Sequence, residues 1–422
     1  MSPSPLSRLQ TSRRGLLAAG GALAATGLAG CGASGRKDVT FYQSKREIFD
    51  HIKMLLAELD AAQPQYRYVH DVASNLSAGF ARRNPPDVAL QNYNLEMSRF
   101  RERGGLSDLS DMEEASRIRD DIKDLADWYP PYPGRTSVLP WSVAGAAVIY
   151  NRAIFDEHGL SVPTTWSEFT ALCTELQDAG VTPIYGTFAD AWTLNQGMFD
   201  YTLGGMIDVR TFYEQVTEIG EEVGPNAEHS FSKDWQEPIA RMLELLPFHQ
   251  DDAPARTYNE GNTAMANGEA AMLLQGPWAL PEIAKAETGA EMGMFPLPVT
   301  EDPADLKIRV NIDLALWIPE AADQPEGARE LVKFFMQPEV QDTYNVDFLY
   351  LGTTKDAPPA TDPRIVEMQS YYDEARYYMG ASQFIPNTIP WANYLQAIVF
   401  GEKPETMLAR LDSDWASLAY RA

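Results

Sequence analysis

The pattern that most constrains the fold of this chain is an alternation of strand and helix near its start. Val39 to Tyr42 predicts a strand, and apolar residues at helical spacing from Ile48 to Leu59 predict the helix that follows it. Tyr66 to His70 and Asp87 to Leu90 predict two further strands. Because strands separated by helices pair in parallel through right-handed crossovers, the sequence predicts an α/β fold.

The same alternation continues through the rest of the chain. Thr165 and Glu168 form a capping box, which opens an amphipathic helix that ends near Gly180. Four more strands are predicted, at Ala144 to Tyr150, Ala270 to Leu274, Met292 to Phe295 and Leu314 to Ile318. At ~150 residues per domain, a chain of 422 residues holds two or three domains, so the pattern predicts more than one α/β unit.

The first thirty residues have the features of an export signal. Three arginines and no acidic residue precede the apolar run from Leu16 to Gly30, which is shorter than the ~20 residues of a membrane span. The pair Arg13-Arg14 resembles a twin-arginine signal. Leu28 to Cys31 resembles a lipobox, whose cysteine becomes the lipidated first residue. The sequence predicts a signal peptide over 1–30, a lipidated tether over 31–37 and an extracytoplasmic protein anchored by lipid at Cys31.

The net charge of the chain excludes nucleic acid and anionic lipid as partners and leaves a cationic ligand open. Acidic residues outnumber basic ones by 60 to 34, for a net charge of −26. Such a surface repels nucleic acid and anionic lipid, because each phosphate contact needs a cation. A cationic ligand such as a polyamine stays open as an alternative, which charge alone does not decide.

The cysteines and histidines predict neither a disulfide nor a metal site. If Cys31 carries lipid, Cys173 has no partner, and its place in an amphipathic helix predicts a buried thiol. The five histidines are scattered along the chain, and no zinc-binding or phosphate-binding motif appears. We therefore expect neither a metal nor a cofactor.

The order of motifs resembles the sugar-binding extracellular solute-binding proteins of bacterial ABC importers, the family that includes maltodextrin-binding protein. The densest match runs from Gly261 to Pro298 and contains Gln275-Gly276-Pro277-Trp278. A second match begins at Leu314 and ends at Gln341, and together the matches cover nearly all of residues 38–422. The sequence departs from the family at Gly352-Thr353-Thr354, where members often place a proline soon after the glycine.

The resemblance implies a two-lobed fold with a ligand cleft between the lobes, each lobe a mostly parallel sheet flanked by helices. It implies a first lobe of residues 38–144 plus 309–353 and a second lobe of 145–308 plus 354–422. Chain crossings are expected near 143–145, 299–310 and 351–354. The implied function is that of a monomeric receptor, not an enzyme, which captures a mono- or oligosaccharide by lobe closure and delivers it to a membrane permease.

Residues that follow predicted strands are candidates for the ligand site. Sugars present hydroxyl groups and apolar C–H faces, so their sites need aromatic rings among amide, hydroxyl and carboxylate groups. Ligands bind beyond the carboxyl ends of strands in open sheets, where the sequence places Gln43, Ser44, Asn92 and Tyr93. Lys45 and Arg46, next in the chain, are interpreted instead as the start of a solvated helix.

The tryptophans supply the aromatic candidates. The resemblance places Trp278 against the ligand, with Gly276 in the turn before it, and places Trp391 near the final helices. A polar loop holds Trp192 and Asn195. Trp141 follows a proline that predicts a turn, and it either lines the cleft or packs against the hinge. For each ring, packing in the core is the alternative.

Asp313 is the remaining candidate of the site. It precedes an apolar strand, where its carboxylate either accepts sugar hydroxyls or caps the backbone.

Two other classes of protein are open to this sequence. A secreted glycosidase uses two carboxylates about 5–10 Å apart. Asp111, Glu113, Glu114, Glu221 and Glu222 are candidates, but they lie in charged helical runs that are typical of solvated surfaces. A lipoprotein that only docks to other proteins is the third class, and the aromatic loops favour a small ligand instead.

Overall fold

A computed structural model describes residues 35–286 and 289–419. The predicted signal peptide and Cys31 lie outside the described residues. The strands are β1 (Lys37–Tyr42), β2 (Tyr66–Asp71), β3 (Val88–Gln91), β4 (Leu139–Asn151), β5 (Thr182–Ile184), β6 (Ala270–Gln275), β7 (Met292–Phe295), β8 (Ile308–Trp317) and β9 (Tyr377–Met379).

The helices lie between and after these strands. They are α1 (Phe49–Ala62), α2 (Leu76–Ala81), α3 (Leu95–Glu102), α4 (Glu113–Arg117), α5 (Asp120–Ala126), α6 (Arg152–Glu157), α7 (Trp166–Asp178), α8 (Ala191–Leu194), α9 (Asp200–Met206), α10 (Val209–Ile219), α11 (Phe231–Asp234), α12 (Gln236–Leu243), α13 (Tyr258–Asn267), α14 (Ala279–Ala286), α15 (Pro325–Phe335), α16 (Pro338–Phe348), α17 (Val366–Asp373), α18 (Trp391–Val399) and α19 (Pro404–Ala419). Within the described ranges, no helix combines the length and the apolarity that a membrane span needs.

The structure confirms the α/β class and the predicted strand positions. On α1, Ile52, Leu55 and Leu59 are buried, as the apolar spacing predicts. The capping box at Thr165 is present and opens α7. Cys173 lies buried and free on that helix, and burial raises the pKa of its thiol above the ordinary value.

The sheet is mixed rather than mostly parallel. Strand β1 pairs in parallel with β2 and β3, and β5 pairs in parallel with β6. The pairings of β3 with β8, and of β4 with β6, β7 and β8, are antiparallel. The expectation of mostly parallel sheets fails because the two longest strands, β4 and β8, run antiparallel to each other through the centre.

Strands β4 and β8 join the two halves of the sheet. The first part of β4 pairs with β8, with Leu139 opposite Leu316 and Gly145 opposite Val310. The next residues, from Ala147 to Asn151, pair with β6 and β7 instead. Strand β4 therefore begins in one half of the sheet and ends in the other.

A third segment runs beside this connection. Val143 and Leu351 exchange two backbone hydrogen bonds, with N···O distances of 3.0 and 2.8 Å. The chain thus comes together near residues 143, 310 and 351, the positions at which crossings are expected. The lobe limits themselves stay a prediction.

The predicted turn at Pro140 and Trp141 is wrong. Both residues lie within β4, which begins at Leu139. The pairing with β8 shifts register between Pro140 and Ser142. A bulge of this kind accommodates a proline inside a strand, because proline has no N–H to donate.

The folded structure also begins earlier than the predicted limit at residue 38. Lys37 is the first residue of β1, and its N–H donates to the carbonyl of Gln65 at 2.8 Å. The guanidinium of Arg36 donates to the carbonyl of Tyr66 at 2.7 Å and lies 3.1 Å from the carboxylate of Asp60. Arg36 and Lys37, which the sequence assigns to the tether, therefore belong to the folded part.

Candidate ligand-binding site

A cavity of about 670 Å³ lies between the loops of the two sheet halves. Its size falls in the range of about 300–1,000 Å³ that is usual for small-molecule sites. Residues 44–47, which follow β1, and 92–96, which follow β3, line one side. Residues 192, 195 and 196, Trp278 and part of the segment 382–387 line the other, and residues 311–313 and Tyr350 complete it.

Most of the predicted site residues meet in this cavity. Those that line it are Ser44, Asn92, Tyr93, Trp192, Asn195, Trp278 and Asp313. Those that do not line it are Gln43, Trp141, Gly276 and Trp391. Whether the lining residues contact a ligand stays a prediction.

Trp278 is held at the cavity by its own turn. Its indole Nε1–H donates to Oε1 of Gln275 at 3.2 Å, and Nε2 of Gln275 donates to the carbonyl of Thr193 at 3.2 Å. A Cβ at Gly276 would lie 2.2 Å from the indole ring. Gly276 therefore stands behind the ring, where only a glycine leaves room for it.

Trp192 supplies a second aromatic surface. Its side chain is 36% exposed, and its ring centroid lies 4.9 Å from that of Tyr258. Flat indole faces suit the C–H faces of sugar rings.

Asn195 lies where α8 passes into a π-helical turn over Asn195–Phe199. A Cβ at Gly197 in this turn would lie 2.2 Å from the carbonyl oxygen of Leu274, so the turn packs directly on β6. Oδ1 of Asn195 is buried without a hydrogen-bond partner among the described residues. Buried acceptors of this kind are normally satisfied, so this oxygen is available to a ligand hydroxyl.

The polar centre of the cavity is an ion pair that the sequence pattern does not predict. The ammonium of Lys45 donates to Oδ2 and Oδ1 of Asp313 at 2.8 and 3.0 Å, and to the hydroxyl of Tyr350 at 2.7 Å. Asn92 Nδ2 donates to the carbonyl oxygen of Asp313 at 2.6 Å and to Oδ1 at 3.3 Å. The hydroxyl of Tyr344 donates to Oδ2 at 3.3 Å.

The interpretation of Lys45 as a solvated helix start is therefore wrong. Its side chain is 11% exposed and that of Asp313 is 7% exposed. Burial by itself lowers the pKa of Lys45, but the charge of Asp313 and the hydroxyl of Tyr350 outweigh it, so the pKa lies above its ordinary value. The ammonium stays charged within the cavity.

Tyr93 lines the cavity, but its hydroxyl is already used. Arg101 donates to that hydroxyl at 3.0 Å, and burial raises the pKa of Tyr93 to about 12. Ser44, by contrast, is only partly buried, and its hydroxyl donates to Oε1 of Gln91 at 3.2 Å.

A second, fully buried ion pair supports the cavity from behind. Arg309 Nε donates to Oδ2 of Asp200 at 2.8 Å, with both side chains excluded from solvent. Arg309 also donates to Oδ1 of Asn311 at 3.0 Å, and Ser382 donates to Asp200 through its N–H and its hydroxyl at 2.9 and 2.8 Å. Since Asn311 and Ser382 both line the cavity, the pair fixes two parts of its wall.

Trp391 is not at the cavity. Its side chain is 2% exposed, with ring centroids 5.1 Å from Phe199 and 5.4 Å from Trp235. The expectation that it lines the cleft is wrong, because α18 turns the ring into an aromatic cluster beneath the site.

Trp141 and Gln43 are also core residues. Trp141 is fully buried, its Nε1–H donates to the carbonyl of Phe335 at 2.7 Å, and its ring centroid lies 4.4 Å from that of Tyr344. Of its two predicted roles, packing is the one that the structure shows. Gln43 is fully buried and donates to the carbonyl of Lys45 at 3.2 Å, so it shapes the turn that carries Lys45 rather than lining the cavity.

The carboxylates considered for a glycosidase lie elsewhere. Asp111 is exposed and pairs with Arg329 at 2.7 Å. Glu221 and Glu222 are exposed in a short helical turn. Neither these residues nor Glu113 and Glu114 line the cavity. Among the described residues, no group of His, Cys, Asp and Glu side chains is placed to hold a metal ion.

Sequence comparison finds relatives that match about 70% of this chain. The multiple sugar-binding protein of Streptococcus mutans is 25% identical over 317 residues, which are 73% of each chain. An ABC transporter extracellular-binding protein of Pyrococcus horikoshii is 24% identical over 300 residues, 69% of this chain and 63% of that protein.

Solved structures show the same two-lobed fold. Apo RafE of Streptococcus pneumoniae has a TM-score of 0.77 at 18% identity, over 92% of this chain and 99% of that one. RafE in complex with raffinose has a TM-score of 0.76 at 20% identity, over 91% and 100%.

The family match decides the class of protein. The model of the bacterial extracellular solute-binding proteins matches residues 65–342, about two thirds of the chain. Members of this family bind solutes outside the cytoplasm and are not enzymes. This chain belongs to the bacterial extracellular solute-binding protein family.

Proposed function

We propose that this protein captures a mono- or oligosaccharide in its cavity and delivers it to the membrane permease of an ABC importer. One observation carries the proposal: the partly exposed rings of Trp192 and Trp278 share a cavity with amide and hydroxyl side chains. Indole faces cover C–H groups, and the polar side chains exchange hydrogen bonds with hydroxyls. The sugar-binding and ABC-transporter relatives support the same class.

The charges in the cavity favour a neutral solute. Lys45 and Arg46 line the cavity together with Glu47, Glu96 and Asp313, so basic and acidic groups nearly balance. An anionic sugar phosphate would meet more carboxylates than cations, and each such contact between like charges is unfavourable. The net charge of −26 is therefore a property of the whole surface rather than of the cavity.

We also propose that the two lobes are residues 38–144 plus 309–353 and residues 145–308 plus 354–422. Support comes from β4, whose partners change after Gly145 and Ala146, and from β8, whose residues 308–310 pair with β9. The change of partner supports a hinge on strands shared by both halves, where small dihedral changes at a few residues would move whole lobes.

We also propose that the chain from Cys31 to the folded part is a lipidated tether. Lipid at Cys31 keeps the receptor beside its permease, and stable anchoring by acyl chains takes two or more chains at ~0.8 kcal/mol per buried methylene. The few residues between Cys31 and the folded part hold the lobes close to the membrane.

A thermal-shift screen tests the function. The panel holds glucose, galactose, maltose, raffinose, chitobiose, spermidine and putrescine, because a ligand that binds only the folded state adds about 2.7 kcal/mol at a hundred times its Kd. We expect a saturable rise of Tm with at least one sugar. A rise with polyamines alone, or hydrolysis of an oligosaccharide by the purified protein, contradicts the proposal.

A further inference from the structure

We infer that the cavity contains a binding site for a primary alkylammonium group, and that the protein fills this site with its own Lys45. The site is thereby closed to cationic solutes and left to neutral ones. The inference deepens the proposed function, because it rests on this cavity being the ligand site and narrows the solutes that enter it.

The groups around the ammonium are those that recognise a cation. Asp313 offers both carboxylate oxygens, at 2.8 and 3.0 Å from Nζ of Lys45, and Tyr350 offers its hydroxyl at 2.7 Å. The ring of Tyr350 also lies beneath the charge, with its centroid 4.5 Å from Nζ. A carboxylate, a hydroxyl and an aromatic face together satisfy an ammonium in a partly desolvated place.

These acceptors are held in place by residues other than Lys45. Asn92 donates to both the backbone carbonyl and the carboxylate of Asp313, and Tyr344 donates to the same carboxylate. The rings of Tyr344 and Tyr350 are stacked, with centroids 5.5 Å apart and an interplanar angle of 4°. Shortening the side chain at position 45 therefore leaves a preformed site.

A solute ammonium competes poorly with the one that the chain supplies. Lys45 is tethered beside its partners, so its effective concentration at the site is high without any solute. Displacing it also leaves a charged ammonium without its carboxylate in a partly buried place, which is unfavourable. The carboxylate of Asp313 is thus not available to a polyamine.

The other carboxylates of the cavity do not replace it. Glu96 lies 3.6 Å from the guanidinium of Arg99 and accepts the N–H of Asn387 at 3.4 Å. Glu47 also lines the cavity, but it is exposed, so solvent and salt screen its charge. The cavity therefore presents no cluster of uncompensated carboxylates among the described residues, and neutral polyhydroxyl solutes are the class that it admits.

Chemical complementation tests the inference. Lys45→Ala removes three methylenes and the ammonium, which together have the shape of n-propylammonium. We expect n-propylammonium chloride to raise the Tm of this variant saturably and with at least tenfold lower half-maximal concentration than in the wild type. Tetramethylammonium chloride at equal ionic strength and n-propanol are the matched controls, since the first lacks N–H donors and the second lacks charge.

A second lysine controls for loss of charge alone. Lys53 on α1 is 68% exposed and, among the described residues, pairs with Asp50 one helical turn before it, so Lys53→Ala removes one positive charge without opening the cavity. We expect Lys53→Ala to respond to n-propylammonium as the wild type does. An equal response in Lys45→Ala and Lys53→Ala overturns the inference.

Wild-type protein provides a test that needs no variant. Spermidine and putrescine should neither raise its Tm saturably nor displace a bound sugar, and saturable binding of either amine overturns the inference even if Lys45→Ala fails to fold. The proposed function fails on a different result, the absence of any sugar that raises the Tm. Complementation by n-propylammonium is independent of that result.

Discussion

At the scale of single residues, Trp278 and Trp391 show how one residue type takes two roles. Trp278 is only partly buried and lines the cavity, whereas Trp391 is 2% exposed and packs against other aromatic rings. The sequence places both after a proline, so local pattern does not separate them. Their surroundings in the folded chain do.

Trp278→Ala should weaken sugar binding at least tenfold and leave thermal stability nearly unchanged. Burial of about 80 Å² of ring surface contributes on the order of 2 kcal/mol to binding. Isothermal titration calorimetry with a sugar found in the screen measures the first effect, and thermal unfolding without ligand measures the second. Unchanged affinity with a large loss of stability would assign Trp278 to the core.

Trp391→Ala should show the opposite behaviour. Truncating a fully buried tryptophan costs about 3–5 kcal/mol of unfolding free energy. Urea unfolding should record this loss of stability. Under conditions in which Trp391→Ala is folded, its affinity for the sugar should stay within about threefold of the wild-type value. A large loss of sugar affinity in the folded variant would show that Trp391 contributes to the ligand site.

Gly276→Ala should weaken binding although Gly276 offers no side chain to a ligand. The added Cβ would lie 2.2 Å from the ring of Trp278, so the indole must move. Gly224→Ala is the matched control, because a Cβ there meets no atom within 4 Å. Calorimetry should show a loss of sugar affinity for Gly276→Ala but not for Gly224→Ala. Equal affinities of the two variants would mean that Trp278 still binds the sugar after its ring has moved.

At the scale of elements, local patterns predicted most of the strands and the helices α1 and α7, but not all of their limits. The strand β1, helix α1 and strand β2 follow from apolar spacing, and α7 follows from its capping box. Strand β4 is longer than predicted because the proline at 140 lies in a bulge that β8 supports. A bulge depends on the register between strands that are distant in sequence, which spacing along one strand does not contain.

The segment around His249 should make stability depend on pH. Its ring packs at 5.0 Å from Phe188, Nδ1 bonds to the carbonyl of Leu245 at 2.9 Å, and burial lowers its pKa from 6.5 to about 4. Above about pH 6.5, the ring of His249 is neutral in both the folded and the unfolded state. As the pH falls from about 6.5 to about 4 the unfolded chain takes up the proton first, so stability is lost over that interval.

Comparison with His249→Gln measures this contribution. Between pH 7.5 and pH 5, wild-type protein should lose about 1–2 kcal/mol more unfolding free energy than the variant, as measured by urea unfolding. The variant minus wild-type difference cancels the carboxylates that also titrate in acid. Parallel pH profiles for both proteins would show that His249 titrates normally.

At the scale of the whole molecule, lobe closure should be visible in solution. The sheet halves are joined near residues 143, 310 and 351, and a ligand that contacts both sides of the cavity shifts the population toward the closed arrangement. Small-angle X-ray scattering should record a smaller radius of gyration with a saturating sugar. Trp278→Ala at the same sugar concentration should change less, and an unchanged radius in the saturated wild type would argue against closure.

The predicted anchor also has a whole-molecule test. Cys31→Ser should abolish incorporation of labelled palmitate and release the protein from the membrane fraction. Cys173→Ser is the matched control, because Cys173 is buried on α7 and has no access to lipid. Release of both variants, or of neither, would contradict anchoring at Cys31.

The sequence by itself determined the α/β class and seven residues that line the cavity, while the export signal stays a prediction. The seven residues are Ser44, Asn92, Tyr93, Trp192, Asn195, Trp278 and Asp313. Ser44, Asn92, Tyr93, Trp192, Asn195 and Asp313 follow from local patterns of strand ends and polar loops, whereas Trp278 follows from the family resemblance. Only the tertiary structure decided the partners of Lys45, since Asp313 and Tyr350 lie 268 and 305 positions away in the chain. The same holds for Arg309 and Asp200, which are 109 positions apart. Whether a charged side chain is solvated or paired depends on which groups the fold places next to it. Those groups come from residues that are distant in the sequence, so local patterns do not reveal them.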